Sequence, residues 1–365
     1  MINNLFIRNI FKYQLIILVG IFVVLFGLLF YHLIFCLSFR PADYSSPANT
    51  IADQDKIPAG QKIINGLPAP LGEENVWPVA VSIDNHPDAR PLYGLSKADI
   101  VYEFLVEGGA TRFLAFYTPT STMANKIEKI GPVRSVRPYF LPIAKEYEAL
   151  LAHSGGSVDA LKDIEKLEVY NLEEIAWWGP DYFWRVYSRT SPHNLFTSSD
   201  KLATAIIDWK LGGKIPVYTG WRFFSELERN LEKDRVEKIA FDFSGNTNYR
   251  VEYVYSTSTK SYLRSTGGSK DIDALSKKQV SPENILIQFI PAEKTLDAIG
   301  RLSLDLLGDG EVWLFRDGVK ILGQWQKTSP ESRTQFFDAN GNYLPLKPGQ
   351  IWIEIIPGAR EIELD

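Results

Sequence analysis

VWPVAVSIDNHP, residues 76–87, is an apolar, largely β-branched run that stops at Asp84, Asn85, His86 and Pro87. A short apolar run closed by turn residues reads as a buried strand that delivers polar side chains to a loop. Two similar runs follow. DIVYEFLV (99–106) and RFLAFY (112–117) flank Glu107-Gly108-Gly109-Ala110-Thr111, the pattern of a hairpin. Further on, residues 142–150 carry a helical pattern, and 150–152 run into His153-Ser154-Gly155-Gly156-Ser157. The spacing predicts a helix over 158–167 with Ser157 as its N-cap. Another is predicted over 199–210, stopped by Leu211-Gly212-Gly213. Strands mixed with helices make residues 63–219 an α/β or α+β domain.

Past Gly220 the grammar changes. After one helical stretch (223–233), AFDF, NYRVEYVYS, NILIQFI, EVWLF-RDG-VKILGQW, TQFFD and IWIEII are short β runs bounded by Gly, Asn and Asp turns. Residues 220–365 therefore read as a β-rich, mostly antiparallel domain, a twisted sheet or small sandwich, expected to fold on its own.

Towards the N-terminus, QLIILVGIFVVLFGLLFYHLIFCLSF (14–39) carries no charge and is long enough to cross a bilayer core of about 30 Å. A cleaved signal peptide is shorter and ends in small residues. Cys36 is preceded by Leu33-Ile34-Phe35, which is not the small-residue context of a lipidated cysteine. Residues 13–39 are thus expected to be a single transmembrane signal anchor. Cleavage or lipidation at Cys36 is the alternative. Arg8 and Lys12, with no acidic residue near them, place the tail 1–12 in the cytoplasm and the bulk of the chain outside. Residues 40–62, rich in Pro, Ser, Ala and Asp, read as a flexible spacer.

Composition narrows the function classes. A hydrophobic share of 45% and a charged share of 23% are those of a folded chain, so disorder is excluded. A net charge of −5 argues against a nucleic-acid partner held by bulk basic charge. The single cysteine excludes an intramolecular disulfide and a multi-cysteine metal cluster.

Three histidines lie in the first domain, all in loop-like settings: His86 in DNHP, His153 in HSGGS and His193 in SPHN. Each could serve as an acid or base, or could simply bond turn backbone. Asp84, Glu103 and Glu107 are the candidate carboxylates. Arg134 and Arg137 in GPVRSVRP stand three residues apart before a helix, where guanidinium groups favour carboxylate or phosphate. Arg185 and Arg189 precede the segment of His193 and Asn194, and Gly155, Gly156 and Ser157 could form a backbone nest for an anion. WWGPDYFWR (177–185) is the densest aromatic stretch, fit to stack on sugar or peptide faces or to pack a loop onto the domain. A zinc set of His86, His153 and His193 with Asp84 is not selected by spacing, so no metal and no cofactor is assigned.

Residues 81–113 (VSIDNHPDARPLYGLSKADIVYEFLVEGGATRF), KIGPVRSVRPYF, HSGGS and SPHNLF resemble the N-terminal domain of the YerB-like family. GRLSLDLLGDGEVWLFRDGVKILGQWQK, TQFFDANG and LKPGQIWIEIIP resemble its C-terminal domain. The resemblance covers most of the chain from about Asn65 to Pro357 and implies a bacterial envelope protein, often described as a lipoprotein, without implying a reaction. It also implies which motif residues carry over: Asp84, Asn85, His86, Arg90, Glu103, Glu107, Arg112, Arg134, Arg137, His153 and His193.

The expectation is an extracytoplasmic protein, tethered at 13–39, that binds an anionic or glycan-type ligand in an Arg- and His-lined cleft. The rivals are an envelope hydrolase or transferase using that cleft, and a scaffold for cell-wall enzymes. If the strands ending at Ile83 and Ala152 run side by side and parallel, Asp84, His86, Arg134, Arg137, His153 and His193 should line one pocket.

Overall fold

The computed structural model describes residues 60–119, 126–224 and 235–365. The expected tail, the anchor at 13–39, nearly all of the spacer and most of the helix at 223–233 lie outside the described residues. Among the described residues no helix is long and apolar enough to cross a membrane. The described residues form one compact unit.

Five strands of the main sheet come from the first half: β1 (Val79–Asp84), β2 (Ile100–Leu105), β3 (Thr111–Tyr117), β4 (Leu150–His153) and β5 (Asn171–Glu173). β2 and β3 are the expected hairpin, closed by a 3-10 turn at Glu107–Gly109. β1 pairs antiparallel with β3 and parallel with β4, with Val81 opposite Ala152, as the reading of the two strand ends required. The predicted helices are present at Val158–Lys166, capped by Ser157, and at Ser199–Asp208, capped by Ser198. The helix over 142–150 is shorter, Leu141–Lys145, because the chain turns at 146–149 to enter β4.

The second half supplies the other five strands of the same ten-stranded sheet. Its order is Gln335–Phe337, Val319–Lys327, Gly308–Arg316, Asn284–Ile290, Ile351–Pro357, β2, β3, β1, β4, β5. Ile351–Pro357 pairs parallel with β2 on one side and parallel with Asn284–Ile290 on the other. Among the described residues the second half is mostly antiparallel, as read, but Ile351–Pro357 is parallel on both edges, so the stretches on either side of Gly220 share one sheet and the second is not self-contained. The physical reason is that Ile351–Pro357 is buried along its whole length and needs a neighbour on each edge.

A second, five-stranded antiparallel sheet covers one face. Its order is Ser269–Lys270, Ser261–Thr266, Val251–Ser256, Lys238–Phe241 and Ile362–Leu364. Val79, Val81, Ile83, Val101 and Phe113 pack with Ile239, Phe241, Val251 and Tyr253 in this layer. On the opposite face Ala80, Tyr102, Phe104 and Leu114 pack with Phe140, Ala144, Tyr147 and Ile164 of the helical side and with Trp221 and Trp325. With both faces covered, β1, β2 and β3 are buried at every position, which is why they read as continuous apolar runs.

Candidate functional site

Period-2 alternation places Asp84 on the helical face of β1, and the β1–β3 register sets it opposite Arg112. GPVRSVRP runs alongside the end of β1. The Asp84 amide donates to the Pro132 carbonyl at 2.9 Å and the Arg134 amide to the Ser82 carbonyl at 2.8 Å. The Val133 amide donates to the Leu195 carbonyl at 2.8 Å, which brings the His193 loop to the same place. Three separate segments thus converge on one carboxylate. Asp84 Oδ2 lies 2.7 Å from His193 Nδ1 and 3.1 Å from Arg134 Nε, and Asp84 Oδ1 accepts from the His86 amide at 3.0 Å. The His86 and His193 rings stack with centroids 4.8 Å apart and planes 17° from parallel.

Behind this carboxylate sit three guanidinium groups. Arg112 is buried; its Nη1 donates to the Ser135 carbonyl at 2.8 Å, while its Nε has no hydrogen-bond partner among the described residues. Burial first, and then the charges of Arg137 and Arg134, push the Arg112 guanidinium down to about 10, with Asp84 acting in the opposite sense. Arg137 pairs with Glu107 through Nε to Oε1 at 2.6 Å and Nη2 to Oε2 at 2.8 Å. Burial works to raise the Glu107 carboxyl, but Arg137 outweighs it and holds it below the ordinary range.

His153 does not join this cluster, contrary to the shared-pocket expectation. It is fully buried, with Nδ1 2.9 Å from the Gly155 carbonyl and Nε2 2.7 Å from Asn171 Oδ1, so it stitches β4 to β5 and to the following turn. In that turn Gly155 takes φ +64°, and a Cβ on Gly156 would meet Val136 Cγ1 at 2.8 Å. Ser157 caps the helix through the Ala160 amide at 3.3 Å. The glycines therefore have a conformational and packing reason to be there.

Glu103 lies on the other face of the sheet. There it pairs with Arg264, accepts from Thr111 Oγ1 and from Asn85 Nδ2 at 3.1 Å, and stands in register with Glu354. Burial, and then the Glu103 charge, push the Glu354 carboxyl well up, and Tyr253 donates to it. Arg90 donates to the Asn85 side chain at 3.1 Å and to the Asn248 carbonyl at 3.0 Å, joining the two halves. Arg185 holds Glu174 through one nitrogen at 3.0 and 3.1 Å and Asn194 Oδ1 at 3.1 Å. Arg189 clamps the Ala89 and Pro91 carbonyls. These four elements of the expected ligand set (Arg90, Arg185, Arg189 and Asn194) thus have internal partners. In the aromatic stretch Tyr182 and Phe183 are buried, whereas Trp177 is 87% exposed and meets Trp178 edge-on with ring centroids 5.5 Å apart.

Asp88 escaped the sequence reading. It follows His86 by two residues in the short turn Pro87–Ala89, and its amide donates to His86 Nδ1 at 3.2 Å. One donor atom from each of His86, Asp88 and His193 lies within 4.8 Å of the others. The close D-x-H-x-D spacing of 84, 86 and 88 was the signal that could have found it.

Comparison with known proteins follows the same two stretches. Residues 65–210 match the family described as "Protein of unknown function (DUF3048) N-terminal domain", and residues 239–353 match the corresponding C-terminal domain. A curated relative from Bacillus subtilis (strain 168), named "Putative lipoprotein YerB", is 33% identical over 281 residues, covering 77% of this chain and 81% of the relative. The crystal structure of the YerB protein from Bacillus subtilis aligns with a TM-score of 0.71 at 32% identity, covering 83% of this chain and 99% of that one.

Proposed function

The chain belongs to the YerB-like family with its paired DUF3048 domains, and on that footing we propose that it is a membrane-tethered envelope protein whose outer part binds an anionic ligand at Arg112, Arg134 and Arg137. The observation that carries this reading is the buried Arg112 guanidinium. Its Nε is unpartnered among the described residues, and it stands beside two further arginines whose own partners are Asp84 and Glu107. A desolvated cation that is short of acceptors favours an incoming carboxylate or phosphate oxygen. The tether is residues 13–39 and the compartment is extracytoplasmic; the lipoprotein name of the relative supports a membrane-held outer domain.

The test is a calorimetric titration of the purified full chain with inorganic phosphate and with solubilised peptidoglycan fragments. Saturable binding that weakens in Arg134→Ala and Arg137→Ala is expected. Equal affinity in both variants and the parent would sink the reading.

A hydrolase or transferase acting at the same place has one observation in its favour. Asp84 accepts from or pairs with His193 Nδ1 at 2.7 Å, the arrangement that orients an imidazole so that Nε2 can take a proton. Turnover of an anionic envelope substrate, abolished in His193→Gln, would select this reading over binding alone.

A further inference from the structure

We propose that His86, Asp88 and His193 hold one divalent d-block metal ion of the zinc class, with Asp84 as the carboxylate that orients His193. The inference stands apart from the anion reading, since none of these three donors belongs to the arginine cluster.

His193 is the most constrained donor. Its side chain is only 13% exposed, and Nδ1 is occupied by Asp84, itself 5% exposed. That leaves Nε2 as the ring nitrogen with a free lone pair. A carboxylate behind a ligating imidazole is the usual way to set the tautomer and ring orientation of a metal ligand. His86 and Asp88 complete the set from one short turn, with His86 Nδ1 3.6 Å from Asp88 Oδ2. Zinc bonds of about 2.0–2.1 Å in a tetrahedron put donors roughly 3.3 Å apart, so that pair is close to ligating separation once His86 Nδ1 gives up the Asp88 amide it accepts from at 3.2 Å. The widest separation in the group, 4.8 Å, closes by rotation of His86 and Asp88, whose side chains are 47% and 76% exposed and therefore free to turn. The His86 ring starts in contact with that of His193, stacked at 4.8 Å, and must turn out of this stack to bring its in-plane lone pair onto a shared ion.

Two imidazoles and a carboxylate select zinc, copper or nickel over calcium or magnesium, which prefer all-oxygen sites. Three protein ligands also leave a tetrahedral ion one open position, which water or an anion can fill. Asp88 offsets one of the two charges of a divalent ion, while Asp84 is shared between His193 and Arg134, so the loaded site stays net positive and favours an anion in the open position. The three donors come from two segments that are far apart in sequence and tied together by the hydrogen bonds of Arg189 to Ala89 and Pro91. The loop of His193 is thus clamped onto the turn of His86 and Asp88 independently of any ion.

The experiment uses the purified full chain, stripped with a chelator and titrated with Zn2+ alone and Co2+ alone. Binding is followed by calorimetry, and the Co2+ visible absorption reports coordination geometry. One ion per chain is expected, with a tetrahedral-type Co2+ band that Ca2+ and Mg2+ do not displace. His86→Ala and His193→Ala should each weaken binding at least roughly 100-fold, and Asp84→Asn about 10–100-fold, the range for loss of a carboxylate behind a ligand. His86→Ala and Asp88→Asn change exposed side chains, so they decide the matter if His193→Ala fails to fold. Absence of stoichiometric Zn2+ and Co2+ binding by the parent chain would overturn the proposal. So would unchanged affinity in His86→Ala and Asp88→Asn.

Discussion

Arg112 sits in a strand, buried on its helical face, with a guanidinium depressed first by burial and then by two like charges. An anion that reaches it relieves both effects, so the binding free energy should be concentrated in few residues. Arg134→Ala or Arg137→Ala should weaken binding of inorganic phosphate by about 1.5–3 kcal/mol, the scale of one charged hydrogen bond, as measured by calorimetry. Saturating phosphate should raise the unfolding temperature of the parent and do so less in either variant. A second residue-scale prediction concerns Glu354, whose carboxyl is pushed up by burial and by Glu103. A carboxyl with a raised folded-state pKa binds its proton more tightly when folded. Its contribution is fully present below the ordinary carboxyl value of 4.5 and is lost as pH rises through the folded value. Glu354→Gln, a neutral isostere, should therefore raise the melting temperature at about pH 9 more than at about pH 5, by roughly 2–4 °C for each kcal/mol. Parallel melting curves at both pH values would contradict the assigned direction.

Among the elements, the short helix Leu141–Lys145 does more than cover the sheet. Glu146, which follows it and is fully buried, accepts from Lys327 Nζ at 2.7 Å and Thr334 Oγ1 at 2.7 Å and pairs with Arg333. The Arg333 guanidinium lies 3.7 Å from the ring centres of both Tyr147 and Trp221. This cluster fastens the first half to strands Val319–Lys327 and Gln335–Phe337 of the second. Burial works to raise the Glu146 carboxyl, but Lys327 and Arg333 outweigh it and hold it below its ordinary value. Its stabilising effect is present above the unfolded carboxyl value and lost as pH falls through the folded one. Glu146→Ala leaves two buried cations without their carboxylate and should cost about 3–5 kcal/mol, read as a lower urea midpoint. A midpoint within error of the parent would show that the cluster is not a fastening.

For the whole molecule, the parallel pairing of Ile351–Pro357 with β2 makes the two sequence domains one sheet. A chain beginning at Gly220 would present a largely apolar, unpaired strand edge, a template for aggregation. It should fail to unfold cooperatively, and co-expression with residues 60–219 should restore a soluble complex. A monomeric, cooperatively folded 220–365 fragment would show that the shared sheet is dispensable. The proposed anchor at 13–39 is tested by one further substitution. Cys36→Ser should leave the chain in the membrane fraction, with a reporter after Asp365 active only in an extracytoplasmic format. Release of Cys36→Ser into the soluble fraction would instead make lipidation the tether.

The local sequence was enough to mark β1, β2, β3, β4 and the capped helices at Val158–Lys166 and Ser199–Asp208, because apolar runs and N-caps are short-range signals. It was also enough to single out Asp84, His86, His193, Arg134 and Arg137, since DNHP, SPHN and GPVRSVRP stand out against the apolar runs around them. Which histidine belongs with which carboxylate was decided only by tertiary pairing. His153 and His193 sit in equally polar loops, yet the Val133–Leu195 hydrogen bond brings one to Asp84 while Asn171 and Gly155 enclose the other. Glu103 and Arg112 likewise lie on neighbouring strands of a single hairpin, and the alternation of the pleat sends them to opposite faces. The joining of the halves was the least legible feature. A parallel partner more than two hundred residues away leaves no local pattern in either strand, because a strand buried on both faces looks the same whichever neighbour completes its hydrogen bonds.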